Sequence, residues 1–465
     1  MSALPGDTIA AISTPPGPGG VALVRLSGPR AMEIADAVFR GARPLSACPT
    51  HTVHHGGVYD AAGCEADEVL ATVLRAPTSY TTEDMVEFGC HGGAMPSRRV
   101  LDACLEAGAR LARRGEFTER AFLGGRIDLV QAEAVADVIA AQTREGLAVA
   151  LGQLEGGLSG RLAELRQTLL DYRAEVEALI DFSDEDIEPA TTDAIAALGE
   201  RAAGLARELL ATADYGVAVR DGVSVAIIGR PNVGKSTIMN ALLRRDRAIV
   251  TDEPGTTRDA IEETMSLDGV PVRLIDTAGW RETQSAAEAE GVKRAKAAAS
   301  GADVIVHVID ASVGVTAEDE SIAHELDDTR AVTVANKQDL VESRGDRAST
   351  MLGAANTVWT SARTGEGLDE LERTLARVIV PPHGDGSGAR RDAERVQVSN
   401  ARHVNALRRV TTSIARSLEL LRDDASADIV AQEIADATDA LGDITGETAP
   451  EDVLRRVFEK FCIGK

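Results

Sequence analysis

The chain has 465 residues, 44% of them hydrophobic, enough for roughly two to four ordinary domain cores. No stretch is apolar enough to cross a bilayer, and the opening MSALPGDTIAAISTPPGPGG lacks the basic-then-apolar plan of an export signal, which predicts a cytoplasmic protein with no membrane association. A net charge of −25 opposes non-specific attraction to nucleic acid, so any RNA contact needs a local basic surface such as RRDAERVQVSNARHVNALRR at 390–409. Five scattered cysteines without a CxxC pair argue against a disulfide framework and against a zinc site, and HTVHH at 51–55 has no metal-like setting.

Residues 1–124 alternate strand-like runs (GVALVRLSG, VLATVLRAP) with helical ones (PRAMEIADAVF, RRVLDACLEAG), with PPGPGG and GCHGG as tight turns, an α+β pattern. Over 125–217 the turn signals thin out, and LVQAEAVADVIAAQ and SGRLAELRQTLLDYRAEVEALIDF carry helical periodicity, predicting long packed helices. Strands and helices alternate again over 218–381, as in a parallel α/β sheet, and VIVPPHGDGSGARRD leads out of it. The remainder, 382–465, is helical, so the α/β module reads as an insertion into one helical domain. The last segment, ETAPEDVLRRVFEKFCIGK, predicts a helix with Thr448 and Glu451 at capping-box spacing and Pro450 in its first turn. Its apolar face is Val453, Leu454, Val457, Phe458 and Phe461, and Gly464 is its stop; such an end must be buried, either docked in a core or carrying Cys462 and Lys465 to a site.

The inserted module carries the chemistry. GRPNVGKS fits G-x-x-x-x-G-K-[ST] with Gly229, Gly234, Lys235 and Ser236 in the defining positions. Backbone N–H groups of such a loop cradle phosphates at a helix N-terminus, the lysine neutralises the β/γ oxygens and the hydroxyl holds Mg²⁺. The preceding VSVAIIG supplies the strand that the motif requires. VRLIDTAG ends another strand with Asp276, placed to act through the magnesium shell, and Gly279, whose N–H can meet a γ-phosphate. VANKQD ends a third with Asn336, Lys337 and Asp339. A carboxylate there can accept from both N1–H and the exocyclic amine of guanine, a donor pair adenine lacks, so the base should be guanine. Ser361, Ala362 and Arg363 of TSAR follow at a spacing suited to the guanine carbonyl, and Thr257 of GTTRD can reach Mg²⁺ only when the γ-phosphate is present. The ordered set resembles the Ras-like GTPases. Where those place a glutamine after DTAG to orient water, this chain has Trp280, so the water and the developing charge need other partners, a bound cation being the natural one. Asn232 offers a side-chain oxygen within the loop, or serves only to stabilise its turn.

Taken with TPPGPGGVALVRLSG, EFGCHGG, GEFTERAFLGGRIDLVQAEAVADVI, IDFSDEDI, TDEPGTTRD, DTAGWRE and the closing FCIGK, the motifs resemble the MnmE (TrmE) tRNA-modification GTPase family over essentially the whole chain. The resemblance implies an N-terminal domain (1–124) similar to folate-binding one-carbon enzymes and serving dimerisation, a helical domain (125–217 and 382–465), and the Ras-like module (218–381) between its parts. It implies a homodimer that joins an FAD-containing partner, MnmG (GidA), in a heterotetramer. Together they add an aminomethyl or carboxymethylaminomethyl group to C5 of the wobble uridine of certain tRNAs, using a 5-formyl or methylene form of tetrahydrofolate. Arg25, Glu87, Arg126 and Lys465 fall on folate-site positions; the family often has lysine where Arg126 stands, so that contact changes reach. Asn232, Thr251, Glu253 and Thr256 become K⁺ ligands, and Glu288 matches a water-orienting glutamate, with Glu282 and Glu290 close by. Val233, Thr237, Thr277 and Ala278 join the nucleotide's surroundings. Cys462 is either a nucleophile or a small buried packing residue.

Two other readings compete. A ribosome-assembly or RNA-chaperone GTPase would need an appended RNA-binding domain such as a KH fold, and the acidic helical C-terminus has none of its signals. A folate-dependent methyltransferase with a merely regulatory GTPase is the third.

Overall fold

The computed structural model describes residues 6–181, 191–245, 262–276, 301–324, 330–341, 356–380 and 396–465. The chain forms two compact units, one of residues 1–136, 154–195 and 416–465, the other of 137–153 and 196–415.

The first unit begins with β1 (Ile9–Ile12), β2 (Val21–Ser27), α1 (Ala31–Val38), β3 (Phe39–Gly41), β4 (Thr52–Tyr59), β5 (Glu65–Leu74), β6 (Met85–His91), α2 (Ala94–Glu106) and β7 (Arg110–Leu111). The strands form one sheet in the order β3-β4-β5-β6-β2-β1-β7, antiparallel except for the β1–β7 pair. Alternation in β2 and β5 sends Ala22, Val24, Leu26, Val69, Ala71 and Val73 into a core shared with α1 and α2. The opposite face carries Leu23, Arg25, Leu70 and Glu87. The expected turn at GCHGG is shorter than its glycines suggest. Gly89, Cys90 and His91 belong to β6, and the chain turns only at Gly92, where a Cβ would stand 2.0 Å from the Gly19 carbonyl oxygen. Gly89 stays in the strand, paired with Leu23 on one side and Leu70 on the other, although a glycine there weakens the strand.

Then follow α3 (Glu116–Leu123), α4 (Leu129–Ala140), α5 (Arg144–Leu154), α6 (Gly157–Asp181), α7 (Thr192–Leu210) and α8 (Ala213–Asp221); α4 and α6 carry the two runs whose periodicity predicts helices, while the short α3 lies ahead of that region.

The second unit holds β8 (Val223–Ile228), α9 (Lys235–Leu243), β9 (Glu262–Leu267), β10 (Val270–Asp276), β11 (Val304–Asp310), α10 (Ala317–His324), β12 (Ala331–Asn336), β13 (Thr357–Trp359) and α11 (Leu368–Ile379). Their sheet runs β13-β12-β11-β8-β10-β9, parallel except for the β9–β10 hairpin. VSVAII and VIVHVID are buried along their whole length, as strands covered on both faces must be. The hairpin turns on Asp268 and Gly269, both at positive φ, the Asp-Gly signature of a two-residue loop.

The chain closes with α12 (Ala401–Arg422), α13 (Ala427–Thr445) and α14 (Glu451–Glu459). The end differs from the expected helix in three ways. Pro450 is the N-cap rather than a first-turn residue, and the Thr448 hydroxyl donates to the Asp439 carbonyl at 3.1 Å instead of forming a capping box. The helix stops at Glu459, and Gly464 lies beyond it in a turn at φ 95°. Val457, Phe458 and Phe461 are buried against Leu129 and Ala132, whereas Cys462 and Ile463 are exposed, so the apolar end is only partly covered. The tail is held instead through its backbone, by an isolated bridge between Ile463 and Arg114 and by bonds from the Gly115 and Phe117 N–H groups, so its side chains at 462 and 463 need not be buried.

Candidate functional site

The parallel sheet brings three strand ends together. β8 runs into Gly229, whose Cβ would meet the Val308 carbonyl oxygen at 2.2 Å, so only glycine lets the loop leave the sheet there. The loop turns through Asn232 in the left-handed region (φ 65°) and Gly234 (φ 101°), then enters α9 at Lys235. Lys235 Nζ donates to the carbonyls of Gly229 and Arg230, each at 2.9 Å. Ser236 and Thr237 are exposed in the first helical turn, beside N–H groups that α9 does not use internally.

The end of β12 ties down the same loop. Asn336 Nδ2 donates to the carbonyl of buried Val233 at 2.9 Å. Lys337 Nζ donates to the Asn232 carbonyl at 2.7 Å and pairs with Asp310 at 2.6 Å. Asp310, at the end of β11, was not singled out by any motif. Burial alone would raise its pKa, but hydrogen bonds from Lys337 and Ser312 hold it below the usual carboxylate range. Asp339 accepts from the Ser361 hydroxyl at 2.7 Å and from Arg363 at 2.8 Å, and the Ser361 bond is the main cause of its lowered pKa. The Ala362 N–H donates to Asn336 Oδ1 at 3.1 Å. The loop at 229–234 and the loop that follows β12 are therefore one hydrogen-bonded structure. β10 ends at Asp276, whose side chain lies outside the described residues, as do Thr251, Glu253, Thr256, Thr257, Thr277, Ala278, Gly279, Trp280, Glu282, Glu288 and Glu290.

A second constellation forms in the first unit around the tail. Arg25 and Glu87 are direct cross-strand partners on β2 and β6, and their side chains pair at 2.7 Å with 24% and 20% of their surface exposed. The Gly464 carbonyl accepts from Ser13 Oγ at 2.8 Å and from Arg25 Nη1 at 3.4 Å. Ile463 forms an antiparallel bridge with Arg114, the Gly115 N–H donates to Cys462 O at 3.3 Å, and the Phe117 N–H, in the first turn of α3, donates to Lys465 O at 3.2 Å. The tail is thus stitched to the N-terminal segment through its backbone, leaving the Cys462 side chain exposed and that of Lys465 half-buried. Tyr80, which no sequence signal marked, lies between two of the expected site cations. Its ring centre is 5.6 Å from the Arg25 guanidinium and 5.1 Å from that of Arg126, its hydroxyl bonds Thr118 at 3.0 Å, and Arg126 Nη1 donates to the Ser79 carbonyl at 2.9 Å. The histidines of HTVHH bond neighbouring Thr50, Thr52 and Glu68 side chains. Among the described residues no helix is long and apolar enough to cross a membrane.

A glycine-rich loop that leaves a buried parallel strand and opens a helix, pinned to the loop after a neighbouring strand, defines a P-loop nucleotide-binding protein. The family model of the MnmE helical domain matches residues 129–462, and that of the GTP-binding protein TrmE N-terminus matches residues 8–126. A tRNA modification GTPase MnmE from Chloroflexus aurantiacus is 48% identical over 459 residues, covering 99% of this chain and 100% of the relative. Those from Heliobacterium modesticaldum and Geobacter metallireducens are each 44% identical, over 99% of this chain and 100% and 99% of their own. Among solved structures, the G domain of the T. maritima FeoB iron transporter matches at 25% identity over 34% of this chain and 98% of its own, with a TM-score of 0.26, too low to add to the assignment. The chain belongs to the MnmE (TrmE) family of tRNA-modification GTPases.

Proposed function

We propose that this GTPase works with an FAD-containing MnmG-type partner to add an aminomethyl or carboxymethylaminomethyl group to C5 of the wobble uridine of certain tRNAs. The observation that carries the reading is the meeting of the tail with the Arg25–Glu87 pair: Gly464 O reaches both Ser13 and Arg25 while Lys465 follows one residue on. These groups suit a reduced folate. Glu87 can accept from the amino and ring N–H donors of a pterin, Arg126 or Lys465 can meet the anionic glutamate tail, and Tyr80 offers an aromatic wall. The folate supplies a one-carbon unit. Cys462 stands at the same tail as the candidate nucleophile, its exposure contradicting the alternative of a small buried packing residue. The apolar side chains Val21, Val53 and Leu70, 69%, 58% and 53% exposed, lie on the sheet surface that α1 and α2 do not cover, which supports a homodimer through the N-terminal domains.

In the nucleotide module Lys235 neutralises the phosphates, Asp339 reads guanine, Ser236 and Thr257 hold Mg²⁺, and Glu288 orients water. Asn232, with Thr251, Glu253 and Thr256, would hold K⁺; the exposure of Asn232 at its left-handed turn, with the backbone carbonyl tied to Lys337, supports this. The ion would supply the positive charge that an arginine finger supplies in other GTPases. Activity is cytoplasmic. The test is reconstitution with the FAD-loaded flavoprotein partner, undermodified tRNA, GTP, Mg²⁺, K⁺, methylenetetrahydrofolate and an amine donor, ammonium for the aminomethyl group or glycine for the carboxymethylaminomethyl group, followed by nucleoside analysis. Wobble uridines left unmodified in the complete mixture would refute the chemistry, and equal GTP hydrolysis in K⁺ and Na⁺ would refute the ion.

A further inference from the structure

The phosphate loop contains an arginine of its own. Arg230 follows Gly229 directly, within reach in sequence of any phosphate that the loop holds, and a cationic side chain there could serve as an arginine finger supplied in cis. The structure spends it elsewhere. Arg230 Nε donates to both carboxylate oxygens of Asp319, at 2.9 and 3.0 Å, and Asp319 is fully buried. The same carboxylate accepts from the Thr316 N–H at 3.0 Å and the Thr316 hydroxyl at 2.8 Å, so it also caps the start of α10. Arg230 Nη2 is buried without a hydrogen-bond partner, which fixes the guanidinium as turned into the protein. Freeing it would strand a buried carboxylate without its counter-charge, the costly way to break an ion pair. The Arg230 backbone, meanwhile, faces the loop: its carbonyl is one of the two that receive Lys235 Nζ.

We infer that Arg230 is a positioning residue, anchored by Asp319 so that its backbone fixes the phosphate loop and Lys235, and that it places no charge on the transferring phosphate. The Asp319 hydrogen bond also stabilises the charged guanidinium, raising its pKa further above the working range. The anchor links the loop's entry to α10, complementing the second tie through Lys337 and Asp310.

The experiment uses the full chain with Arg230→Ala, Asp319→Asn, the double variant and Arg230→Lys. Affinity for a non-hydrolysable GTP analogue is measured beside single-turnover hydrolysis at saturating GTP. Loss of one charge-assisted anchor should weaken affinity about ten-fold in either single variant, with the double variant no worse than the weaker single and the saturated rate within about two-fold of wild type. Arg230→Lys, which keeps the charge and an ammonium able to donate to Asp319, should retain most of the affinity. A saturated rate cut about a hundred-fold or more in Arg230→Ala with affinity intact would make Arg230 a finger and overturn the inference. Additive losses in the double variant would overturn it too, since the two residues would then act separately. Should Asp319→Asn fail to fold, as judged by circular dichroism, the contrast between Arg230→Ala and Arg230→Lys decides alone.

Discussion

In the nucleotide module, the side chains that hold the phosphate loop come from the ends of neighbouring parallel strands, β8, β11 and β12, each followed at once by its functional loop. Around the tail, Arg25 and Gly464 meet across 439 positions of sequence, and Ser13 and Gly464 across 451. A parallel sheet gathers its strand ends by construction, so the first site follows from the fold of one module. The second exists only when the far end of the chain returns and is fixed, largely through backbone hydrogen bonds at Arg114, Gly115 and Phe117. Substitutions should therefore separate two losses: nucleotide affinity from the module, and tRNA modification with GTP binding intact from the tail.

The largest expected loss is in the module. Asp339→Asn removes a carboxylate that two donors already orient, Ser361 and Arg363. With two charge-assisted bonds to the base at stake, GTP affinity should fall by about 3 kcal/mol, roughly a hundred-fold, and xanthine nucleotides should become competitive. Fluorescence titration with both nucleotides checks this, and an unchanged guanine preference would move base recognition elsewhere.

In the first unit, the dock for the tail is exposed to acid. Burial pushes the Glu116 carboxyl up, but hydrogen bonds from Arg110, the Arg113 N–H and Arg120 overcome it and bring the pKa down to about 2. A carboxyl depressed on folding stabilises the protein above the ordinary glutamate range, and that contribution is lost as pH falls from there through about 2. Glu116→Gln should cost up to about 3 kcal/mol near neutrality, the order of the shift converted to free energy. Its denaturation curve and the wild type's should converge towards pH 2. Parallel curves across that range would show that the pairing contributes nothing to stability. Because Glu116 opens α3 and the next N–H holds Lys465 O, modification should fail in acid together with this unit's stability.

Gly464→Ala tests the tail directly. At φ 95° an alanine is strained, and its Cβ would stand 2.3 Å from the Ile12 carbonyl oxygen. About 1–3 kcal/mol of local strain should loosen the tail and reduce tRNA modification several-fold, with GTP affinity unchanged. Equal losses of GTP affinity and modification would dissolve the distinction between the two sites.

What could be read from the amino-acid order follows the same division. The phosphate loop, its strand and the base-reading loop are local patterns, so Gly229, Lys235, Asn336 and Asp339 were all legible. Asp310 and Asp319 were not, because each is an ordinary acid next to a strand end or a helix start, and only the fold sets it opposite Lys337 or Arg230. At the tail, residue types pointed to docking, but periodicity carried the helix to Gly464 when it stops at Glu459. Backbone bonds to Gly115 and Phe117 compete with the last helical turn there, and no period in the sequence encodes that competition. Arg25 and Glu87 were identified only through resemblance; that they pair follows from a strand register set by the whole sheet.

Tyr80 offers the smallest and most local test. Its ring lies against both Arg25 and Arg126 and would form one wall of the folate site, so the aromatic face should matter more than the hydroxyl bonded to Thr118. Tyr80→Leu removes both cation–π contacts and should weaken folate affinity by about 1 kcal/mol, roughly five-fold, since each contact is worth little where solvent still reaches the cation. Tyr80→Phe keeps the ring and should bind folate nearly as well as wild type, at a small cost in stability from the unpaired Thr118 hydroxyl. Calorimetry with a reduced folate distinguishes the two. If phenylalanine proved as harmful as leucine, the hydroxyl link to α3 would be what shapes the site, and the two arginines would owe their placement to Glu87 and the Ser79 carbonyl instead.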